Sequence, residues 1–179
     1  MNIRVILNPT REQTMEVLYF QFGAMEWDSE NMENEYDRYA TLPFGYVIAE
    51  DSKPLGAINL LKRKINYEGK EIILGGLGGV CTHKEHRKKG IGTQMLKEAM
   101  IQLKKEGCDI AFLNTDLDEL SDFYGKVGFV PLNRDYKATG KSGKEYTDKG
   151  GMIAPLNSVE LFNLVKETAS VFDIEGNDW

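Results

Sequence analysis

The residues most able to do chemistry lie between Cys81 and Thr93, in the run CTHKEHRKKGIGT. Arg87-Lys88-Lys89-Gly90-Ile91-Gly92 places three cations and two glycines just ahead of a helical pattern, in which Ile91, Met95, Leu96, Ala99, Met100 and Leu103 recur at spacings of three and four. The first N–H groups of a helix have no intrahelical partner and its macrodipole is positive there, while glycine lets a ligand approach the backbone closely. That is chemistry for a phosphate. A dinucleotide fingerprint is excluded, because counting from Gly90 and Gly92 its third glycine would fall on Met95. Gly75-Gly76-Leu77-Gly78-Gly79 is followed by no Gly-Lys-Ser/Thr, so it is not a P-loop; inside a strand pattern it reads as a bulge or splayed edge. An ordinary turn is the competing account of the Arg-x-x-Gly-x-Gly spacing.

Other groups invite a role. Cys81-x-His83-x-x-His86 has ligand chemistry, but a structural zinc site uses four ligands in closely spaced pairs and Cys108 alone remains, so no metal is expected. Cys81 packs beside the sheet or, less simply, acts as a nucleophile with His83 as its base. Tyr124 lies on a stripe with Leu117, Leu120 and Val127, which by spacing alone makes it a core aromatic with a bonded hydroxyl. From Glu26 to Arg38, the acids Glu26, Asp28, Glu30, Glu33, Glu35 and Asp37 stand against Arg38 alone, either a solvated helix face or a surface that attracts a cation.

The elements that position these groups follow from periodicity. Asn2 to Leu7 reads as a strand, and Thr10 with Gln13 makes a capping-box start for a helix carrying Met15, Leu18, Tyr19 and Phe22 on one face. A weaker helix covers about 30–40. Phe44 to Glu50 and Leu55 to Leu61 are strands joined at Asp51-Ser52-Lys53-Pro54, and Tyr67-Glu68-Gly69-Lys70 turns into the strand that ends near Thr82. This antiparallel meander precedes a crossover helix, Ile91 to Lys105, and a parallel strand, Asp109 to Asn114. Asp116 starts a helix through Tyr124 and Val127; Gly128-Phe129-Val130 returns to strand; 133–151 is a long polar loop or hairpin tip; Gly151 to Leu156 is the last strand. Ser158 caps a final helix whose stripe, Val159, Leu161, Phe162, Leu164 and Val165, needs cover from the domain or from a partner, which leaves room for a homodimer.

A chain of 179 residues, 41% hydrophobic and 28% charged, is most simply one domain, 1–179. The net charge of −6 argues against a nucleic-acid partner. No apolar run approaches the ~18 residues of a membrane span and the N-terminus lacks signal-peptide character, so no membrane and a cytoplasmic location are expected, with both cysteines reduced.

Strand, Val80-Cys81-Thr82, loop, Arg87-x-x-Gly90-x-Gly92 and amphipathic helix together resemble the acetyl-CoA motif of the GNAT superfamily of N-acetyltransferases. Phe123-Tyr124-Gly-Lys-Val-Gly128-Phe129 resembles that family's second signature. The resemblance implies a mixed α/β fold, a mostly antiparallel sheet with one splayed parallel pair and flanking helices. It implies acetyl-CoA as cosubstrate, its pyrophosphate on the backbone of Arg87, Lys88, Lys89, Gly90, Ile91, Gly92 and Thr93, and its pantetheine arm beside Val80, Cys81 and Thr82. Tyr124 would protonate the departing thiolate, a job for which a phenol of pKa ~10 is suited; His83, through water, or an acid of the N-terminal stretch would be the base. Where many members carry Asn, seven residues before this Tyr, the chain has Leu117. The Gly-x-x-Trp end, Gly176 to Trp179, is similar to the aminoglycoside 2′-N-acetyltransferase branch, which implies Asp178 and the Trp179 carboxylate beside a cationic acceptor, although that branch's acidic strand residue is Gly78 here. By its own chemistry Trp179 is an apolar anchor. The expectation is acetyl transfer to a primary amine of a small cationic molecule, aminoglycoside- or polyamine-like, with Glu33, Asp37, Asp178 and Trp179 toward the acceptor. The alternatives are acetylation of a protein or peptide amine, and a degenerate acyl-CoA sensor whose function would survive Tyr124→Phe.

Overall fold

The computed structural model describes residues 1–25, 37–39 and 41–179. The weaker helix expected over about 30–40 therefore falls largely outside the described residues, of which 37–39 are helical. The chain runs β1 (Asn2–Leu7), α1 (Arg11–Ala24), β2 (Gly45–Asp51), β3 (Lys53–Tyr67), β4 (Lys70–Thr82), α2 (Ile91–Lys105), β5 (Ile110–Asn114), α3 (Leu117–Gly125), β6 (Val130–Pro131), β7 (Tyr136–Thr139), β8 (Glu145–Asp148), β9 (Gly151–Pro155), α4 (Val159–Glu167) and β10 (Phe172–Asp173). No described helix is long and apolar enough to cross a membrane.

The large sheet has the order β1-β2-β3-β4-β5-β9-β6. Its only parallel pair among the described residues is β4 with β5, on either side of the crossover helix α2. Tight turns set the meander's register: Glu68 and Gly69, both at positive φ, close β3 onto β4, and Ser52 at φ 61° closes β2 onto β3. Successive residues of β3 point to opposite faces, as strand geometry requires. Ile58 and Leu60 join Met95, Leu96, Ala99 and Leu103 of α2 in one core cluster, with Tyr124 and Phe129. On the other face Ala57 packs with Val17 and Ala24 of α1, and Leu61 belongs to a cluster with Phe162 and Val165 of α4. The apolar stripe of α4 is thus covered from within the chain, apart from Val159, which is exposed.

Two sequence expectations are corrected. Helix α1 has its capping box, Thr10 to Gln13, but buries Val17, Gln21 and Ala24, while Met15, Tyr19 and Phe22 are exposed. A narrow face of small side chains lets α1 lie close to the sheet, and the Gln21 amide finds partners there. The polar loop 133–151 holds a hairpin, β7 and β8, which β10 joins in parallel to make a second, three-stranded sheet.

Candidate active site

The parallel pair parts early. β4 meets β5 only at Leu74, Gly75 and Gly76, opposite Ile110, Ala111 and Phe112. Beyond that point β4 stays paired with β3 to Thr82, and β5 stays paired with β9 to Asn114. Each strand keeps its outer neighbour and loses its inner one, so unpaired backbone of β4 faces a cleft. The glycine run, read from sequence as a bulge or splayed edge, lies at the parting. The register against β3 slips between Ala57 and Asn59, and Gly79 has φ 54°. Gln21 fixes this irregularity: its amide donates to the Gly79 carbonyl and to Asn59 Oδ1, both at 2.8 Å. Neither Gln21 nor Asn59 drew notice from sequence, since a polar residue within an amphipathic pattern carries no local sign of such a contact.

At the mouth of the cleft stands the N-terminus of α2. Gly90 caps it at φ 79° with no side-chain cap, and no acid occupies the first turn. The contrast within the chain is sharp. Thr10, Asp116 and Ser158 cap α1, α3 and α4 with side-chain oxygens, and each of those first turns carries an acid. The first helical bond of α2 runs from Gln94 N to Gly90 O at 3.1 Å, which leaves the N–H groups of Ile91, Gly92 and Thr93 turned toward the cleft end. Gly92 must be small, because a Cβ there would lie 2.9 Å from Phe123 Cζ. Lys88 and Lys89 are exposed beside this turn. Arg87 does something else: its guanidinium donates to Thr82 O and Ala24 O, both at 3.1 Å, tying the loop to the ends of β4 and α1. A preorganised donor set, no competing carboxylate and a glycine-lined approach suit a pyrophosphate.

Tyr124, on α3, is 6% exposed in the core cluster it shares with α2, and its hydroxyl bonds Thr115, just past the end of β5. Burial pushes the phenol up to about 12, with the Thr115 hydrogen bond working the other way. Cys81 is buried against Ala57 and Ile48, and burial raises its thiol to about 11, which favours the packing role over the nucleophilic one. Cys108 is also buried and free. β4 ends at Thr82, so His83, the expected base, does not share a strand face with Cys81. His83 instead starts a 3₁₀ turn, Lys84–His86, with its ring 5.7 Å from that of His86.

Of the residues expected to face an acceptor, Glu33 lies outside the described residues. Asp37 accepts from Ser142 N at 2.7 Å, Ser142 Oγ at 3.0 Å and Tyr146 OH at 2.8 Å, all in the β7–β8 hairpin. Asp178 is fully buried and cannot touch an acceptor; it accepts from Arg38 Nε at 2.8 Å and Tyr136 OH at 2.5 Å. These two carboxylates hold remote segments together. Trp179 is buried, its ring lying on Gly76 where any Cβ would overlap it, and its carbonyl carbon 3.5 Å from the Cβ position of Gly78. The Arg63 guanidinium sits 4.8 Å from the Trp179 ring centre and donates to Ile174 O and Asn177 O. Trp179 is therefore the apolar anchor its side chain suggested, seated on the face of β4 next to the parting of the strands.

Comparison with known proteins agrees with this geometry. Residues 6–132 match the acetyltransferase (GNAT) domain family. A 64-residue stretch, 35% of this chain, is 34% identical to the uncharacterized N-acetyltransferase YobR of Bacillus subtilis (strain 168) and spans 26% of that protein. The fold resembles Eis1 from Mycobacterium abscessus, with TM-score 0.59 and 16% identity, over 77% of this chain and 33% of that one. It also resembles the ribosomal-protein-S18-alanine N-acetyltransferase from Escherichia coli, with TM-score 0.55 and 13% identity, over 88% of this chain and 96% of that one. Naa20 of Chaetomium thermophilum, solved with a bisubstrate analogue, matches with TM-score 0.57 and 14% identity, over 98% of this chain and 97% of that one. The chain thus spans about a quarter of YobR and a third of Eis1, but nearly the full length of the other two. With the family match covering well over half of its residues, the chain belongs to the GNAT acetyltransferase family.

Proposed function

We propose that this chain transfers the acetyl group of acetyl-CoA to a primary amine. The observation that carries the reading is the uncapped, acid-free N-terminus of α2 at the open end of the parted β4 and β5. The N–H groups from Gly90 to Thr93 would hold the pyrophosphate, Lys88 and Lys89 would add positive field, and the unpaired edge of β4 from Val80 to Thr82 would lie along the pantetheine arm. Acetyl-CoA supplies an activated carbonyl; the protein supplies position and proton handling. A main-chain N–H of Val80 to Thr82 stabilises negative charge on the carbonyl oxygen as the amine attacks. As the carbon–sulfur bond breaks, Tyr124 gives its proton to sulfur and recovers one from solvent, while the amine's proton leaves to water. A phenol held up to about 12 is fully protonated at neutral pH, as a proton donor must be.

For the acceptor, the net charge of −6 favours a small cationic amine, polyamine- or aminoglycoside-like, with Trp179 as a wall of its site. A second reading has its own support: Asp37 and Asp178 are committed to Ser142, Tyr146, Arg38 and Tyr136, which removes two of the carboxylates counted toward a cation. The solved folds matched over nearly their whole length include a ribosomal-protein-S18-alanine N-acetyltransferase. That reading takes a peptide amine as acceptor. The experiment is release of free thiol from acetyl-CoA in the presence of polyamines, aminoglycosides, amino acids, a Lys peptide and peptides with free N-termini. Turnover with one class establishes transfer and chooses between the readings. Coenzyme binding with no turnover on any class would favour the sensor, and no coenzyme binding would overturn the reading.

A further inference from the structure

We propose that His83, Glu85 and His86 form a binding site for a divalent first-row transition metal ion, of the zinc or nickel class, on the turn between β4 and α2. One ligand atom from each of the three lies within 4.8 Å of the others. The local backbone explains the convergence. A 3₁₀ turn has three residues per turn; Lys84–His86 form one with His83 as its N-cap, and the bond from His86 N to His83 O folds the two histidines back toward each other. The turn is pinned rather than free: His83 N donates to Leu55 O on β3 at 2.8 Å, His86 N to His83 O at 2.8 Å, and the Arg87 guanidinium to Thr82 O. The two imidazoles are therefore held on one side of a fixed piece of chain.

Two ligands of one tetrahedral zinc ion, each at roughly 2.0–2.1 Å, are about 3.4 Å apart. The widest pair of the cluster must close by up to about 1.4 Å, through rotation of the exposed Glu85 side chain and of the two rings. Two imidazoles and one carboxylate are a donor set for zinc, nickel, copper or cobalt; calcium and magnesium take oxygen ligands throughout. Three protein ligands leave the remaining position to water. The set differs from Cys81-x-His83-x-x-His86, which the sequence offers: Cys81 is buried on the α1 face of the sheet, and Glu85 takes its place. Lys84, Lys88 and Lys89 are cations that oppose a metal here, and Glu85 is the nearby charge that favours one.

The chain has two histidines, both in this cluster, so every imidazole signal reports on this site. The untagged chain is titrated with zinc chloride by calorimetry, and with copper(II) followed by electron paramagnetic resonance. One zinc ion per chain, two-nitrogen hyperfine structure on copper, and affinity lowered about tenfold or more by His83→Ala or His86→Ala are expected, with a smaller loss for Glu85→Gln. Zinc affinity unchanged in the His83→Ala/His86→Ala double variant would overturn the site. An independent check needs no variant. Both imidazole side-chain resonances of the parent protein should shift together as zinc is added, and the absence of movement in either overturns the proposal.

Discussion

In the mechanism proposed above Tyr124 is the proton donor, and packing rather than a charged neighbour keeps its phenol protonated. Its ring is shut in by Phe129 and the α2 core, and burial holds its proton to about 12. Replacing it with Phe keeps the shape and removes the proton. We expect kcat to fall by about 10²–10⁴ with KM for acetyl-CoA little changed, measured by thiol release. The parent's rate should show no decline assignable to this phenol below about pH 11, one unit under that value. At the same scale, Gly76 is small because Trp179 occupies the place of its side chain. Gly76→Ala should destabilise the protein by about 1–3 kcal/mol through overpacking. Combining it with Trp179→Ala should cost less than the two single effects added, since the overlap is gone. Denaturant midpoints of the four proteins in that cycle decide it; strict additivity would mean that ring and strand do not meet.

The elements explain why the uncapped start of α2 was legible in the sequence and the packing of α1 and of the tail was not. β1 and α2 fall where the pattern placed them, because alternation and a 3.6-residue period are local properties. The uncapped helix start, proposed above to hold the pyrophosphate, was readable for the same reason: Gly90, Gly92 and the absence of a capping side chain are visible in the chain itself. The face of α1 was misread because Gln21 is drawn inward by partners 38 and 58 residues away. Within 133–151, read as a loop or hairpin tip, β7 and β8 were not assigned as strands because Tyr136–Thr139 and Glu145–Asp148 are short and polar, and β10, which completes their sheet, comes from the tail. The Gln21 clamp should therefore matter to the whole site. Gln21→Leu takes the donor away from the part-buried Gly79 carbonyl, at a cost of about 1 kcal/mol. It should also raise KM for acetyl-CoA, since the bulge sets the aim of the Val80 to Thr82 backbone. A stability loss with an unchanged KM would confine the clamp to structure.

Over the whole molecule, residues 37 and 38 join parts that sequence separates by about a hundred positions or more. Arg38 donates to Asp178 at 2.8 Å, to Tyr136 OH at 3.0 Å and to Asp148 at 2.6 Å, while Asp178 N donates back to Arg38 O at 2.8 Å. Asp37 meets Ser142 and Tyr146 in the same hairpin, and Asn177 donates to its carbonyl. One short helical segment thereby fastens the small sheet and the tail, with Trp179, over the glycine face of β4. Burial works against the charge of Arg38, but the hydrogen bond to Asp148 and the field of Asp178 outweigh it and hold the guanidinium protonated. For Asp148, burial opposes ionisation, and hydrogen bonds from Arg38 and Gly150 overcome it, so its folded pKa lies below the ordinary value. A depressed carboxylate adds stability that is present above its unfolded pKa and is lost as pH falls through the folded one. The melting temperature should thus hold steady through neutral pH and drop below about pH 4, where Asp148 and the similarly depressed Asp37 take up protons. Arg38→Met leaves Asp178 buried without its cation and should cost about 3–5 kcal/mol at pH 7. It also returns Asp148 toward its ordinary pKa, so the variant, already weaker, should lose less on going from pH 7 to pH 3 than the parent does. Thermal melts of both proteins across that range test the point, and parallel acid limbs would show that the Arg38 cluster contributes nothing to acid sensitivity.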